Sequence, residues 1–75
     1  MIGDIRKLAE RVPFEPFAIR TTDGREYPVP TLDHLYFTPG GHRVVIGDDD
    51  GTVQILSGLH IGALVHLDTD GATPR

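Results

Sequence analysis

The stretch FAIRTTDGREYPV, residues 17–29, decides the fold of this chain. Large apolar side chains stand two positions apart on each side of Asp23-Gly24, and this dipeptide is a strong short-range signal for a β-hairpin. The loop can be the dipeptide alone or the three residues 22–24. The two choices shift the strand pairing by one residue, so they place different side chains on the same face of the hairpin.

Burial distinguishes the two registers. The two-residue loop would place Ile19 opposite Pro28 and leave Tyr27 on the other face. The three-residue loop places Ile19 opposite Tyr27 and Phe17 opposite Val29, so all four large side chains share one face. Because one face has to be buried, we expect the three-residue loop. It needs a left-handed glycine at the end of a type I turn, which Gly24 supplies.

Further strands are expected along the rest of the chain, separated by turn sequences that contain glycine, proline or aspartate. Pro28 and Pro30 cannot donate a hydrogen bond to a neighbouring strand, so their amide side has to face a sheet edge or a bend. The expected strands are residues 17–22, 25–30, 34–38, 43–47, 52–56 and 63–67.

A short helix is expected before the first strand, because apolar residues recur there at helical spacing. Pro13 should end this helix, since the residue before a proline is disfavoured in the α-helical region. Phe14 and Phe17 are expected to anchor the helix to the sheet. The apolar positions of the helix are Ile2, Ile5, Leu8, Ala9 and Val12.

These elements predict a mostly β (α+β) fold. It has a short N-terminal helix and then a strongly bent, five- or six-stranded antiparallel sheet or small open barrel. A sheet this bent needs glycines or bulges at its corners, and Gly47, Gly58 and Gly62 are the candidates. Gly24, Gly51 and Gly58 are expected to be structural turn residues. We expect one domain over residues 1–68 and a flexible tail over residues 69–75.

Two segments resemble the Sm-like family. Residues 55–64, ILSGLHIGAL, look like the second motif of that family, with Gly58, Ile61 and Leu64 at matching positions. Asp23-Gly24-Arg25 resembles the first hairpin of the family. The resemblance implies a small bent β-fold after an N-terminal helix, and it implies assembly into rings.

The Sm-like resemblance also implies which residues would bind RNA, namely an Asn of the first motif and an Arg of the second. Here Ser57 occupies the Arg position, and residues 33–37 contain no Asn. We therefore expect the chain to lack the RNA-binding signature. Residues 13–17, residues 23–25 and His60-Ile61 are also similar to short uncharacterised bacterial proteins, and this similarity implies no activity.

Composition narrows the possible partners and the compartment. The formal net charge is −4, and the seven basic residues are scattered, which disfavours binding to a phosphate backbone. There is no cysteine, so disulfides and cysteine-based zinc sites are excluded. No apolar run approaches the roughly 20 residues that span a bilayer. We expect a cytoplasmic protein without membrane contact.

No residue pattern predicts catalysis, a cofactor or a metal. Residues 48–51, three aspartates and a glycine, lack the alternating carboxylates and the distant Glu of a calcium loop, so we expect a solvated turn. His60, His66 and Asp68 do not form a complete ligand set. No nucleophile motif or phosphate loop is present. The sequence therefore predicts a protein that is not an enzyme and has no catalytic, cofactor-binding or metal-binding residues.

The last strand is expected to carry an interface. Ala63, Val65 and Leu67 share one of its faces, while Leu64 and His66 share the other. Apolar residues on both faces indicate that both are covered, and so small a chain supplies little cover of its own. We expect a structural or protein-interaction module that forms a homo-oligomer through a strand edge in this region. The alternative is a divergent Sm-like RNA-binding protein.

Overall fold

The computed structural model describes residues 1–67. Asp68 and the expected tail, residues 69–75, lie outside the described residues. The chain begins with helix α1 (Ile2–Ala9). The strands are β1 (Phe17–Thr21), β2 (Glu26–Val29), β3 (Leu35–Phe37), β4 (Arg43–Gly47), β5 (Val53–Ser57) and β6 (Ile61–His66). A first 3₁₀ turn (Leu32–His34) precedes β3, and a second 3₁₀ turn (Gly58–His60) precedes β6.

The six strands form two separate three-stranded antiparallel sheets, in the orders β2-β1-β6 and β3-β4-β5. The mostly β expectation is confirmed, but the expectation of one bent sheet is wrong, and the two sheets do not close into a barrel. The first 3₁₀ turn, together with Pro30, separates β2 from β3. Because Pro30 has no N–H and the chain turns at Leu32–His34, strand pairing does not continue from one sheet into the other.

The β1–β2 hairpin has the register that burial predicts. Ile19 lies opposite Tyr27 and Phe17 lies opposite Val29. The Thr21 N–H donates to the carbonyl of Arg25 at 2.8 Å, so the loop contains three residues. Gly24 has a φ of 90°, which is the left-handed conformation that the loop requires.

The core lies between the two sheets and α1. Phe17, Ile19 and Val29 come from the first sheet, and all three are fully buried. The second sheet contributes Val44, Ile46 and Leu56, α1 contributes Ile5, and β6 contributes Ile61. The ring centroids of Phe14 and Phe17 are 6.0 Å apart, and Phe14 packs against the core cluster to which Phe17 and Ile5 of α1 belong.

Helix α1 is shorter than its apolar pattern predicts. It ends at Ala9, and the N–H of Arg11 bonds to the carbonyl of Leu8, a tight three-residue turn. Val12 therefore lies outside the helix with 95% of its surface exposed, and its expected place in the apolar stripe is wrong. The chain leaves the helical path before Pro13 because it has to turn back toward β1.

Strand β6 begins earlier than expected, at Ile61 instead of residue 63. Its pairing with β1 shifts between Arg20 and Thr21, and Gly62 is the extra residue on β6. Gly62 is thus a bulge in the sheet. The expected break at Gly58 is the start of the second 3₁₀ turn, and Gly47 is the last residue of β4.

Candidate functional site

Two of the four edge strands, β2 and β3, are poorly suited to pairing with another chain. Strand β2 carries Pro28, which lies in a non-hydrogen-bonded pair with Ala18, so its missing N–H faces the open edge. Strand β3 has only three residues. The edge strands that remain are β6 in the first sheet and β5 in the second.

The open edge of β6 is defined by its pairing with β1. The Leu67 N–H donates to the carbonyl of Pro16 at 3.1 Å, which extends the β1–β6 ladder. Hydrogen-bonded pairs alternate along an antiparallel ladder, so Val65 also bonds to β1. The backbone groups of Leu64 and His66 therefore point away from β1, toward the open edge.

The predicted interface residues of β6 lie on the outer face of the first sheet. Ala63, Val65 and Leu67 are all half-buried. They share this face with Ala18, which is 1% exposed. On the opposite face, Leu64 packs against the core, whereas His66 is exposed. The structure thus brings the three predicted residues together beside an open edge.

The open edge of β5 follows from the same alternation. Two bonds lie at the ends of the β4–β5 hairpin: Asp48 N–H to the Thr52 carbonyl at 2.8 Å, and Gly58 N–H to the His42 carbonyl at 3.0 Å. The backbone groups that point outward are therefore those of Val53, Ile55 and Ser57. The side chains of Val53 and Ile55 are 55% and 64% exposed.

The outer face of the second sheet carries an apolar row that crosses all three strands. Tyr36 lies opposite Val45, and Val45 lies opposite Ile55. Val53 shares this face with Ile55, opposite Gly47. We call these four residues, Tyr36, Val45, Val53 and Ile55, the outer stripe. Tyr36 and Phe37 are adjacent in β3 and face opposite sides of the sheet, since Tyr36 is 58% exposed and Phe37 packs against the core.

One residue of the outer stripe, Val45, lies in a short apolar run of the sequence. Residues 44–46, VVI, form a continuous apolar run, which is typical of a strand that is covered on both faces. Val44 and Ile46 face the core, whereas Val45 faces outward. The run thus places one apolar side chain of β4 on the outer face, in addition to the two that face the core.

A polar chain of three side chains links the first 3₁₀ turn to the β4–β5 turn. His34 Nε2 lies 2.8 Å from Asp49 Oδ1, and His34 Nδ1 lies 2.9 Å from Thr31 Oγ1. A carboxylate only accepts, so Nε2 carries a proton, and the Thr31 hydroxyl can donate to Nδ1 of the neutral ring.

The three side chains have the composition of a nucleophile–base–acid triad, but Thr31 also caps the local backbone and Asp49 is exposed to solvent. Thr31 Oγ1 also accepts the N–H of Asp33 at 3.2 Å, which caps the 3₁₀ turn. The side chain of Asp49 is 92% exposed. Sequence reasoning missed this contact because 15 positions separate His34 and Asp49, and no spacing rule connects them.

The acidic turn is held by its own hydrogen bonds. Thr52 donates its N–H to Asp50 Oδ1 at 3.0 Å and its hydroxyl to the same Oδ1 at 2.8 Å. The bonds from Thr52 lower the pKa of Asp50 below its ordinary value. Gly51 has a φ of 91°, a conformation that L-residues rarely adopt.

Two cavities open at the surface. The larger, of about 800 Å³, lies between the start of α1, the β3–β4 turn and the second 3₁₀ turn; its lining residues include His42, Arg43 and Ser57. Gly58 also lines it, and a Cβ there would come within 3.1 Å of Ile2 Cγ1. The smaller, of about 300 Å³, is lined by Thr21, Thr22, Asp23, Tyr27, Leu56 and His60.

The candidate metal ligands do not assemble among the described residues. His60 lines the smaller cavity, and His66 Nδ1 lies 4.0 Å from Glu15 Oε1. Asp68 is outside the described residues. Within residues 1–67, no group of three or more His, Cys, Asp or Glu side chains is placed to hold a metal ion.

Ser57, where the resemblance to the Sm-like family implies an RNA-binding Arg, has a local structural role. The Ser57 side chain accepts the N–H of Leu59 at 3.2 Å and thereby caps the second 3₁₀ turn.

None of the helices in the described part of the chain is long and apolar enough to cross a membrane. Comparison with protein-family models, with curated proteins and with solved structures gives no match for this chain.

Proposed function

We propose that this protein is a non-catalytic, self-associating module with an Sm-like fold, in which β6 of one copy pairs with β5 of the next. One observation carries the proposal. Of the four edge strands, only β5 and β6 have at least five residues. Both also have free backbone groups at the open edge and apolar side chains that are exposed or half-buried.

The order of the elements supports the Sm-like part of the proposal. Helix α1 precedes the strands, and β6 returns to pair with β1. Strands β2 and β3 follow one another through the first 3₁₀ turn, so together they fill the place of one long, bent strand. The second 3₁₀ turn lies within the motif-like stretch, residues 55–64.

Edge pairing would bond the unpaired backbone groups of both edges and cover apolar side chains beside them. An unpaired strand edge exposes N–H and C=O groups that can bond to another chain. Pairing β6 with β5 would also cover Ala63 and Val65 on one side and Ile55 on the other. The two edges differ, so the contact is heterologous, and repeated copies form a ring or a filament.

The size of the chain also favours association. A domain of 75 residues buries a small core, and this one has no cysteine with which to form a disulfide. A contact between subunits adds buried apolar area without lengthening the chain.

Sedimentation equilibrium of wild type and His66→Pro over a range of concentrations tests the proposal. The backbone of His66 points to the open edge, so proline removes an outward donor without removing a bond to β1. We expect His66→Pro and Val65→Lys to weaken association at least about tenfold, the effect of roughly 1.4 kcal/mol.

His66→Thr is the matched control, because it changes the same side chain but keeps the N–H. It should associate like the wild type. A wild-type protein that remains monomeric at hundreds of micromolar, or association that neither Val65→Lys nor His66→Pro weakens, would refute the proposal.

RNA binding is the second candidate function, and the larger cavity is the observation that favours it. Arg43 and His42 lie beside an opening large enough for a nucleobase, next to the motif-like residues Ser57 and Gly58. The net charge of −4 and the serine at position 57 oppose it.

Fluorescence anisotropy with labelled single-stranded RNA at several salt concentrations decides between the two candidates. We expect weak or absent binding, because few basic groups are available to displace counterions. Sub-micromolar binding at physiological salt, with a steep salt slope, would favour the RNA-binding function if Arg43→Glu abolished it and Lys7→Glu did not. Lys7 is also an exposed cation, but it lies on α1, away from the cavity lining.

A further inference from the structure

We propose that the outer stripe is a second self-interface, on which two copies of this chain pack face to face around a two-fold axis. The proposal goes beyond edge pairing, since it concerns a face of the second sheet and not the end of a ladder. It rests on the apolar row described above and on the charges at its two ends.

The apolar surface of the outer stripe is continuous. Tyr36, Val45 and Ile55 are direct neighbours across three strands, so no polar side chain interrupts the row. Tyr36 and Ile55 are more than half exposed. Aromatic side chains are typical anchors of protein interfaces, and Tyr36 supplies one at the β3 end of the row.

Opposite charges lie at the two ends of the β4–β5 hairpin. Arg43 lies at the start of β4 on the outer face, opposite Ser57, and it is exposed. The acidic turn, residues 48–50, lies at the other end of the same hairpin and is also exposed. The face is therefore positive at one end, apolar in the middle and negative at the other end.

These charges select one arrangement of the two copies. If the axis runs across the strands near Val45, each Arg43 meets the acidic turn of the other copy. If the axis runs along the strands, like charges meet. Residues 43 and 48 are separated by about 17 Å at roughly 3.4 Å per residue, and Val45 lies close to the midpoint. A two-fold interface has to be complementary to itself, and this face is.

The chemistry of the stripe favours a second copy over the remainder of this chain. Residues 68–75, DTDGATPR, contain no large apolar side chain with which to cover Tyr36 or Ile55. A different protein as partner would need a matching apolar row with the same opposed charges, whereas a second copy supplies both.

The first test compares Tyr36→Lys with wild type by sedimentation velocity across concentrations, using the full chain. Tyr36 lies on β3, away from the β5 and β6 edges, so this variant leaves edge pairing intact. We expect it to weaken the face-to-face contact at least about tenfold, as loss of an aromatic anchor does. A circular-dichroism melt confirms that the variant is folded.

The second test exchanges the charges. Arg43→Glu places a negative charge opposite the acidic turn, and the double variant Asp49→Lys/Asp50→Lys places positive charges opposite Arg43. Each variant alone should associate at least about tenfold more weakly than wild type. Mixed in equal amounts, they should form a heterodimer, because both charge pairs become attractive again.

Lys7→Glu is the matched control, since it makes the same change in net charge on the exposed surface of α1. It should associate like the wild type. The proposal is overturned if wild type is monomeric at hundreds of micromolar, if Tyr36→Lys does not weaken association, or if the two charge variants fail to associate when mixed. Loss of association in His66→Pro but not in Tyr36→Lys would leave edge pairing as the sole contact and would also overturn it.

Discussion

At the scale of single residues, the polar groups of the β1–β2 loop show how local bonds support a buried side chain. Thr21 is 8% exposed and is the one buried polar side chain of the described residues. Its hydroxyl bonds to the carboxylate of Asp23 and accepts the N–H of Arg25 at 3.3 Å. Because its hydroxyl is bonded in this way, the polar side chain can be buried without the cost of an unsatisfied group.

The same contact affects the ionisation of Asp23. The hydrogen bond from Thr21 is the largest cause that lowers the pKa of the Asp23 carboxyl below its ordinary value. A lowered pKa in the folded state means that the ionised carboxyl supports folding above its ordinary pKa. This support is lost as the pH falls through the lowered pKa.

We therefore predict that Thr21→Val raises the pKa of Asp23 toward its ordinary value, since valine keeps the shape of threonine but cannot donate. An NMR titration of the Asp23 carboxyl carbon measures the change. Thr22→Val is the control, because Thr22 is exposed and makes no such contribution to the pKa of Asp23. An unchanged titration midpoint in Thr21→Val would contradict the assigned cause.

At the scale of elements, the hairpin and β4 were predicted closely, and the helix and β6 less so. The hairpin register follows from four large side chains that need one common face. Strand β4, Arg43–Gly47, has the predicted bounds. The end of α1 and the bulge at Gly62 depend on how the chain meets β1, and no local pattern contains that information.

The hairpin loop gives a prediction at this scale. Gly24→Val should lower the free energy of unfolding by more than about 1 kcal/mol, because a β-branched side chain is poorly tolerated at positive φ. No atom lies within 4 Å of a Cβ at this position, so the cost is conformational and not a clash. Urea denaturation measures it.

Gly24→Asn is the matched variant, since asparagine adopts the left-handed region more readily than valine. It should be closer to wild type in stability. Equal stability of Gly24→Val and wild type would show that the loop can adopt another conformation.

At the scale of the whole molecule, two sheets share one core but leave open edges and an apolar outer face. The exposed fractions of Tyr36 and Ile55 exceed one half, although both are large apolar side chains. Edge pairing through β5 and β6 would cover Ile55 together with the β6 surface, whereas face-to-face packing through the outer stripe would cover Ile55 together with Tyr36 and Val45. The two sets of variants separate the contacts because they lie on different strands.

The sequence by itself determined the features that depend on near neighbours along the chain. These are the mostly β composition, the hairpin register, the left-handed glycine of the loop and the facing of Ala63, Val65 and Leu67. Periodicity, turn chemistry and burial act over a few residues, so they can be read from the order of the residues.

Only the tertiary structure decided how the strands divide into two sheets and which edges remain open. It also decided that Tyr36, Val45 and Ile55 form one row and that His34 meets Asp49. The row depends on the register of two consecutive hairpins, and the His34–Asp49 contact joins residues 15 positions apart. Their geometry follows from packing the whole core, which no short stretch of sequence specifies.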